Sequence, residues 1–172
     1  SNALIESGAL VLGPLYLGGM MAAIPLMHDV GRRSQGAGLV VFTLMIAWLS
    51  DTIAMFFGKT FKGPKLYPAV SPNKTWSGAL GGLLGSVLGA VIAHFGYLPS
   101  LPLLSGVAVA AVAGVLGQLG DLCESVLKRA VGVKDSGEIL PGHGGFLDRI
   151  DALCFAAVTV YLTLRVGWLV LA

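Results

Sequence analysis

Four long apolar runs constrain this chain more than any other feature. Residues 39–57, 79–95, 101–119 and 152–172 are each about long enough to cross roughly 30 Å of hydrocarbon at about 1.5 Å per residue. A fifth stretch, 9–27, is apolar but broken by Pro14 and Pro25. A soluble helical domain of this size needs a polar face on each helix, and these runs have almost none. The expected fold is therefore all-α: a polytopic membrane helical bundle with about five transmembrane helices, forming one domain over residues 1–172. A hydrophobic share of 55% and a mean hydropathy of +0.83 agree with it.

Little else in the composition competes with that reading. Ser1-Asn2-Ala3 reads as the remnant of a cleaved tag, and no signal-peptide pattern is visible. A net charge of +2 gives no ground for a nucleic-acid partner. Cys123 and Cys154 lack CxxC spacing and read as small packing residues. The glycines Gly78-xxx-Gly82 and Gly81-xxx-Gly85-xxx-Gly89 fit close helix–helix approach better than a phosphate loop. Gly58-Lys59-Thr60 looks like the end of a P-loop, but Ile53 stands where that motif requires glycine.

The loops supply an orientation. Segment 58–77 carries Lys59, Lys62, Lys65 and Lys74 without an acid, segment 119–151 carries four more basic residues, and 94–104 has no Lys or Arg. The positive-inside rule then puts 58–77 and 119–151 in the cytoplasm, with 94–104 and the carboxyl terminus outside. Arg32 and Arg33 fall on the wrong side in this scheme.

Charge is concentrated in one place. The chain has nine acidic and eleven basic residues, and ten of them lie between Gly120 and Asp151. Ionisable groups next to hydrocarbon are costly, so their gathering there marks a functional site. Asp121, Glu124 and Lys128 share one face if the 101–119 helix continues past Leu119. Asp148 and Asp151 are again three apart, at the start of the last helix. Two such pairs can converge on a divalent cation, and hard oxygen ligands without a His or Cys cluster suit Mg²⁺. The competing reading is that the acids only balance neighbouring cations at the interface.

Lys128, Arg129, Lys134 and Arg149 in the same segment, with Lys74 before it, equip a site for polyphosphate chemistry. Their alternative is a ring of snorkelling cations on anionic headgroups, which suits Lys62 and Lys65 best. In Pro141-Gly142-His143-Gly144-Gly145 the glycines let backbone approach a phosphate, and His143 is either structural or a phosphate or proton partner. Ser71-Pro72-Asn73-Lys74-Thr75 is either a nucleotide-phosphate loop or a helix start. Asp51, an acid near the end of an apolar run, belongs in a bundle interior or a watery cavity.

These residues together carry a resemblance. Residues 125–151 follow the spacing Ser-x2-Lys-Arg-x4-Lys-Asp-x-Gly-x2-Leu-Pro-x-His-Gly-Gly-x2-Asp-Arg-x-Asp, which resembles the signature of the phosphatidate cytidylyltransferases, or CDP-diacylglycerol synthases. Gly120-Asp121-x2-Glu124-Ser125, Ser71-Pro72-x-Lys74-Thr75, and Asp51 followed by Ala54 and Gly58 support it. In many members x-Glu-Gly follows the Lys-Thr pair; here Ser77 stands where that glutamate would. Members also usually have more membrane helices ahead of this region.

The resemblance implies an enzyme of a bacterial inner (cell) membrane, with its active site facing the cytoplasm, working among membrane lipids. It would use CTP, phosphatidic acid and Mg²⁺ to make CDP-diacylglycerol and pyrophosphate, and it leaves a homodimer open. Asp121 and Asp148 would be metal ligands, with Glu124 and Asp151 assisting. Ser71, Lys74 and Thr75 would hold the nucleotide, and Asp51, His143 and Gly144 belong to the substrate site. Lys128, Arg129, Lys134 and Arg149 would hold phosphates, with Lys128 and Arg149 nearest the chemistry. The alternatives are a CTP-dependent lipid-alcohol kinase and, further off, a membrane transporter.

Overall fold

Helix length decides where charge can sit in this bundle. The structure, a computed structural model, describes residues 13, 15–29, 33–137, 145 and 147–171, with backbone only at 33, 34 and 149. Five helices occur among them: α1 (Leu15–His28), α2 (Arg33–Phe61), α3 (Trp76–Gly96), α4 (Leu103–Ala130) and α5 (Leu147–Arg165). α2, α3 and α4 are long and apolar enough to cross a membrane. The 19 residues of α5 reach about 28 Å, and its first turns carry Asp148 and Asp151 ahead of the apolar stretch that begins at Ala152. The result is a polytopic helical membrane bundle.

The 28 residues of α4 span about 42 Å, some 12 Å more than the hydrocarbon needs. The run 101–119 thus continues as helix through Ala130 and carries Asp121, Glu124 and Lys128 beyond its apolar part on one side. α1 is shorter than a full span; the turn at Ala22 lets Pro25 fall in the first turn of the segment Ala23–His28, where it forfeits no helical hydrogen bond. The last helix ends at Arg165, short of the expected 172.

α3 lies along both α2 and α4, and α4 lies along α5. The glycine stripe of α3 makes the first contact possible: a Cβ on Gly85 would stand 2.3 Å from the Leu49 carbonyl oxygen, and one on Gly81 2.6 Å from Phe57. The apolar core collects Leu39, Phe42 and Ile46 of α2, Ala90 and Ala93 of α3, Ala110 and Ala113 of α4, and Ala156, Ala157 and Val160 of α5. All of these lie in the half of the bundle away from the charged segment. At that far end His94 Nδ1 is 2.6 Å from the Leu101 carbonyl, closing the α3–α4 turn.

The near end holds an element not expected from the sequence pattern. After α2, Lys62 (φ 49°) and Gly63 (φ 70°) turn the chain through the left-handed region. A two-stranded antiparallel hairpin follows, β1 (Lys65–Tyr67) with β2 (Ser71–Thr75), pairing Lys65 with Thr75 and Tyr67 with Ser71. Thr75 then caps α3, its Oγ1 accepting from Gly78 N at 3.1 Å. Ser77 Oγ is 3.0 Å from Thr75 Oγ1 and donates to the Lys62 carbonyl at 3.4 Å, so Ser77 ties the hairpin base to the helix.

Candidate active site

Two small residues on α4 bring the acids together. A Cβ on Gly117 would meet the Ala152 carbonyl oxygen at 3.2 Å, and one on Gly120 would meet Phe155 at 2.1 Å. α4 and α5 are therefore in close contact just below Asp121, and Asp151 faces Asp121 and Glu124 across the seam. One carboxylate oxygen from each of these three residues lies within 4.8 Å of the others. Glu124 is 2% exposed and Asp151 8%.

Such a group is unstable as three bare anions. Carboxylates this close and this buried repel, and a proton or a cation must relieve them. Glu124 Oε2 is 3.2 Å from Lys128 Nζ, but Glu124 Oε1 is buried with no hydrogen-bond partner among the described residues. Lys74 Nζ approaches Asp121 Oδ2 to 2.7 Å, an ion pair by distance rather than a directed hydrogen bond. Asp151 Oδ1 accepts from Ala152 N at 2.6 Å. Hard oxygen donors with an orphaned lone pair between them fit a small divalent cation.

Asp148 is placed differently from the expectation that it would meet Asp121 on one ion. Its Oδ1 accepts from Lys128 Nζ, while Oδ2 accepts from Ser136 N at 2.9 Å, Ser136 Oγ at 2.8 Å and Gly145 N at 2.8 Å. The reason is position on the helix. Asp148 stands in the first turn of α5, within reach of the backbone donors Ser136 and Gly145 of the α4–α5 connector (131–146), whereas Asp151 one turn later faces the glycine seam. Burial alone would raise the Asp148 pKa; Lys128, Ser136 and Gly145 outweigh it and hold the carboxyl well below the usual carboxylate range. Lys128 consequently bridges Glu124 and Asp148 and links the acid cluster to the connector.

A cavity of about 980 Å³ opens beside this cluster, between α2, the hairpin, α3 and α4. Asp51, Lys74, Thr75 and Asp121 line it with Asn73 of the Ser71–Thr75 segment, and so do Lys59, Lys62, Lys65 and Gln118, which were not among the expected site residues. Gln118 carried a signal in hindsight, since it lies one turn before Asp121 and Leu122 on α4. The lysines carried only their loop position, which headgroup contact explained equally well.

The remaining expected residues divide by what holds them. Ser71 lies in β2, half-buried, and Thr75 lines the cavity with its oxygen used as the helix cap. Arg129 donates from Nε to the Val70 carbonyl at 3.3 Å and from its terminal nitrogen to Val133 O at 3.1 Å, so it fastens the hairpin turn to the end of α4. Lys134 is exposed in the connector. His143, Gly144 and the Arg149 side chain lie outside the described residues.

The model of the cytidylyltransferase family matches residues 2–167. A Brucella abortus biovar 1 (strain 9-941) protein named phosphatidate cytidylyltransferase is 43% identical over 158 residues, 87% of this chain and 54% of the relative. Proteins of the same name from Staphylococcus haemolyticus and Staphylococcus epidermidis (strain ATCC 35984) are 42% and 44% identical over 132 residues, 77% of this chain and 51% of each relative. The chain spans about half the length of the curated relatives it matches. The chain belongs to the cytidylyltransferase family.

Proposed function

We propose that this chain carries out the phosphatidate cytidylyltransferase reaction at the cytoplasmic face of a bacterial cell membrane. A phosphate oxygen of phosphatidic acid attacks the α-phosphorus of CTP. The bond from that phosphorus to the α,β-bridging oxygen breaks, pyrophosphate leaves, and CDP-diacylglycerol remains in the bilayer. The observation that carries this reading is the three-carboxylate group, two of its members buried, beside a lysine-lined cavity in a chain of this family.

Asp121, Glu124 and Asp151 are the residues that would hold Mg²⁺, and Glu124 Oε1 is the oxygen otherwise without a partner. The ion, when bound, supplies charge neutralisation to the triphosphate. Lys74, paired with Asp121 at the cavity wall, meets the nucleotide's phosphates, and the positive end of the α3 dipole lies beside it. Lys128 stays between Glu124 and Asp148, and Asp148 holds it there rather than adding a fourth acid to the cluster. The lipid phosphate is anionic at neutral pH, so no strong general base is required.

The test supplies purified protein with Mg²⁺, CTP labelled in the cytosine and phosphatidic acid. Label in a CDP-lipid together with released pyrophosphate supports the assignment. Transfer of the γ-phosphoryl group alone, leaving no cytidine on the lipid, would replace it with a CTP-dependent lipid kinase.

A further inference from the structure

The cations expected to hold phosphates are largely engaged: Lys128 lies between two carboxylates, Arg129 on two carbonyls, and Lys74 against Asp121. Three that line the cavity are not. Lys59 lies in the last turn of α2, Lys62 forms the turn after it and Lys65 opens β1; all three are exposed, and none has an acidic ion-pair partner among the described residues. Around them stand exposed aromatic side chains, Phe61 (63%), Tyr67 (48%) and Trp76 (57%). Aromatic side chains gather at the level of lipid headgroups, so this lysine group sits where a lipid phosphate lies and where a lipid held by its acyl chains must stay. Met55 and Leu66 add apolar wall to the same cavity.

Lys62 contributes an independent observation. Its φ of 49° is in the left-handed region, where glycine or asparagine is the low-strain choice and a long side chain is uncommon. A residue kept against its backbone preference points to a use for its side chain.

We infer that Lys59, Lys62 and Lys65 form the binding site for the phosphate monoester of an anionic glycerolipid, at the mouth of the cavity. Lys74 and Asp121, which line the same cavity, receive the nucleotide. The identity of the lipid as the transfer acceptor rests on the function proposed above; the phosphate site itself does not.

The experiment is isothermal calorimetry of the detergent-solubilised chain with dihexanoyl phosphatidic acid, dihexanoyl phosphatidylcholine, inorganic phosphate and CTP with Mg²⁺. It compares wild type, Lys62→Gly and the double variant Lys59→Gln/Lys65→Gln. Loss of a charge-assisted phosphate contact should weaken binding of dihexanoyl phosphatidic acid about tenfold in each variant, with CTP affinity unchanged. Lys62→Gly should keep or raise the melting temperature, because glycine relaxes the turn; weaker lipid binding by a protein of undiminished stability excludes misfolding as its cause. The inference is overturned by unchanged affinity for dihexanoyl phosphatidic acid, by an equal loss of CTP affinity, or by inorganic phosphate or dihexanoyl phosphatidylcholine binding as tightly as the acidic lipid. Turnover is measured alongside. Lysine-dependent lipid binding without cytidylyl transfer sinks the proposed reaction alone, and normal transfer with lysine-independent lipid binding sinks this site alone.

Discussion

Gly120→Ala tests whether the α4–α5 seam sets the geometry of the acid cluster. The new methyl would stand 2.1 Å from Phe155 Cδ2, 2.6 Å from Cε2 and 2.8 Å from Cγ. Ordinary contact begins at 3.4 Å, so the ring or the helices must give by about 1.3 Å. Because the close atoms include the base of the ring, rotating Phe155 about its outer bond does not clear them all. Overpacking of this kind costs about 1–3 kcal/mol of stability. The effect on the site is larger, since a cation tolerates donor displacements of only about 0.2 Å and a misplacement of about 1 Å costs on the order of 10²-fold in rate. Mg²⁺-dependent pyrophosphate release and the melting temperature in detergent are measured for the variant. Gly117→Ala, whose Cβ would meet the Ala152 carbonyl at 3.2 Å, should be milder, and Gly96→Ala, with nothing within 4 Å, should be neutral. Equal activity in Gly120→Ala and Gly96→Ala would refute the claim that the seam positions the carboxylates.

Three further predictions follow from single side chains. Asp148→Asn removes the anion that holds Lys128 and should cost about 1.5–3 kcal/mol, with activity falling sharply while the protein still folds. Because folding lowers the Asp148 pKa, its stabilisation is complete above the ordinary carboxylate value near 3.9 and is lost as pH falls below it. The variant should therefore show a flatter decline in melting temperature below about pH 4, and an unchanged acid limb would contradict the assignment. Lys74→Ala should mainly raise the KM for CTP; an effect confined to the KM for the lipid would move Lys74 to the other substrate. Thr75→Val should lower stability by about 1 kcal/mol through loss of the α3 cap, read as a shift in the unfolding midpoint.

The apolar runs were legible because nothing but a membrane helix accommodates them, and the i, i+3, i+7 spacing of Asp121, Glu124 and Lys128 was legible because helix geometry alone puts them on one face. The glycines of α3 were legible for the same reason: their spacing is that of close helix contact, and Gly81 and Gly85 pack against α2. What escaped was tertiary. Asp148 and Asp151 have equivalent spacing, and only the docking of Gly117 and Gly120 decides that Asp151 faces Asp121 while Asp148 turns to Lys128 and Ser136. The hairpin escaped because a three-residue strand carries no readable alternation. Without the hairpin, Lys59, Lys62 and Lys65 could not be brought to one cavity, and Arg129 could not be read as the side chain that fastens Val70.

The proposed chemistry depends on Asp121, Glu124 and Asp151 sharing one divalent cation. Anomalous diffraction from crystals of the protein soaked in Mn²⁺ tests this most directly. A peak bonded to oxygens of all three residues, with Asp148 still on Lys128, is the predicted result. A peak shared by Asp121 and Asp148 with Lys128 displaced, or an ordered acid cluster with no peak at all, would contradict it.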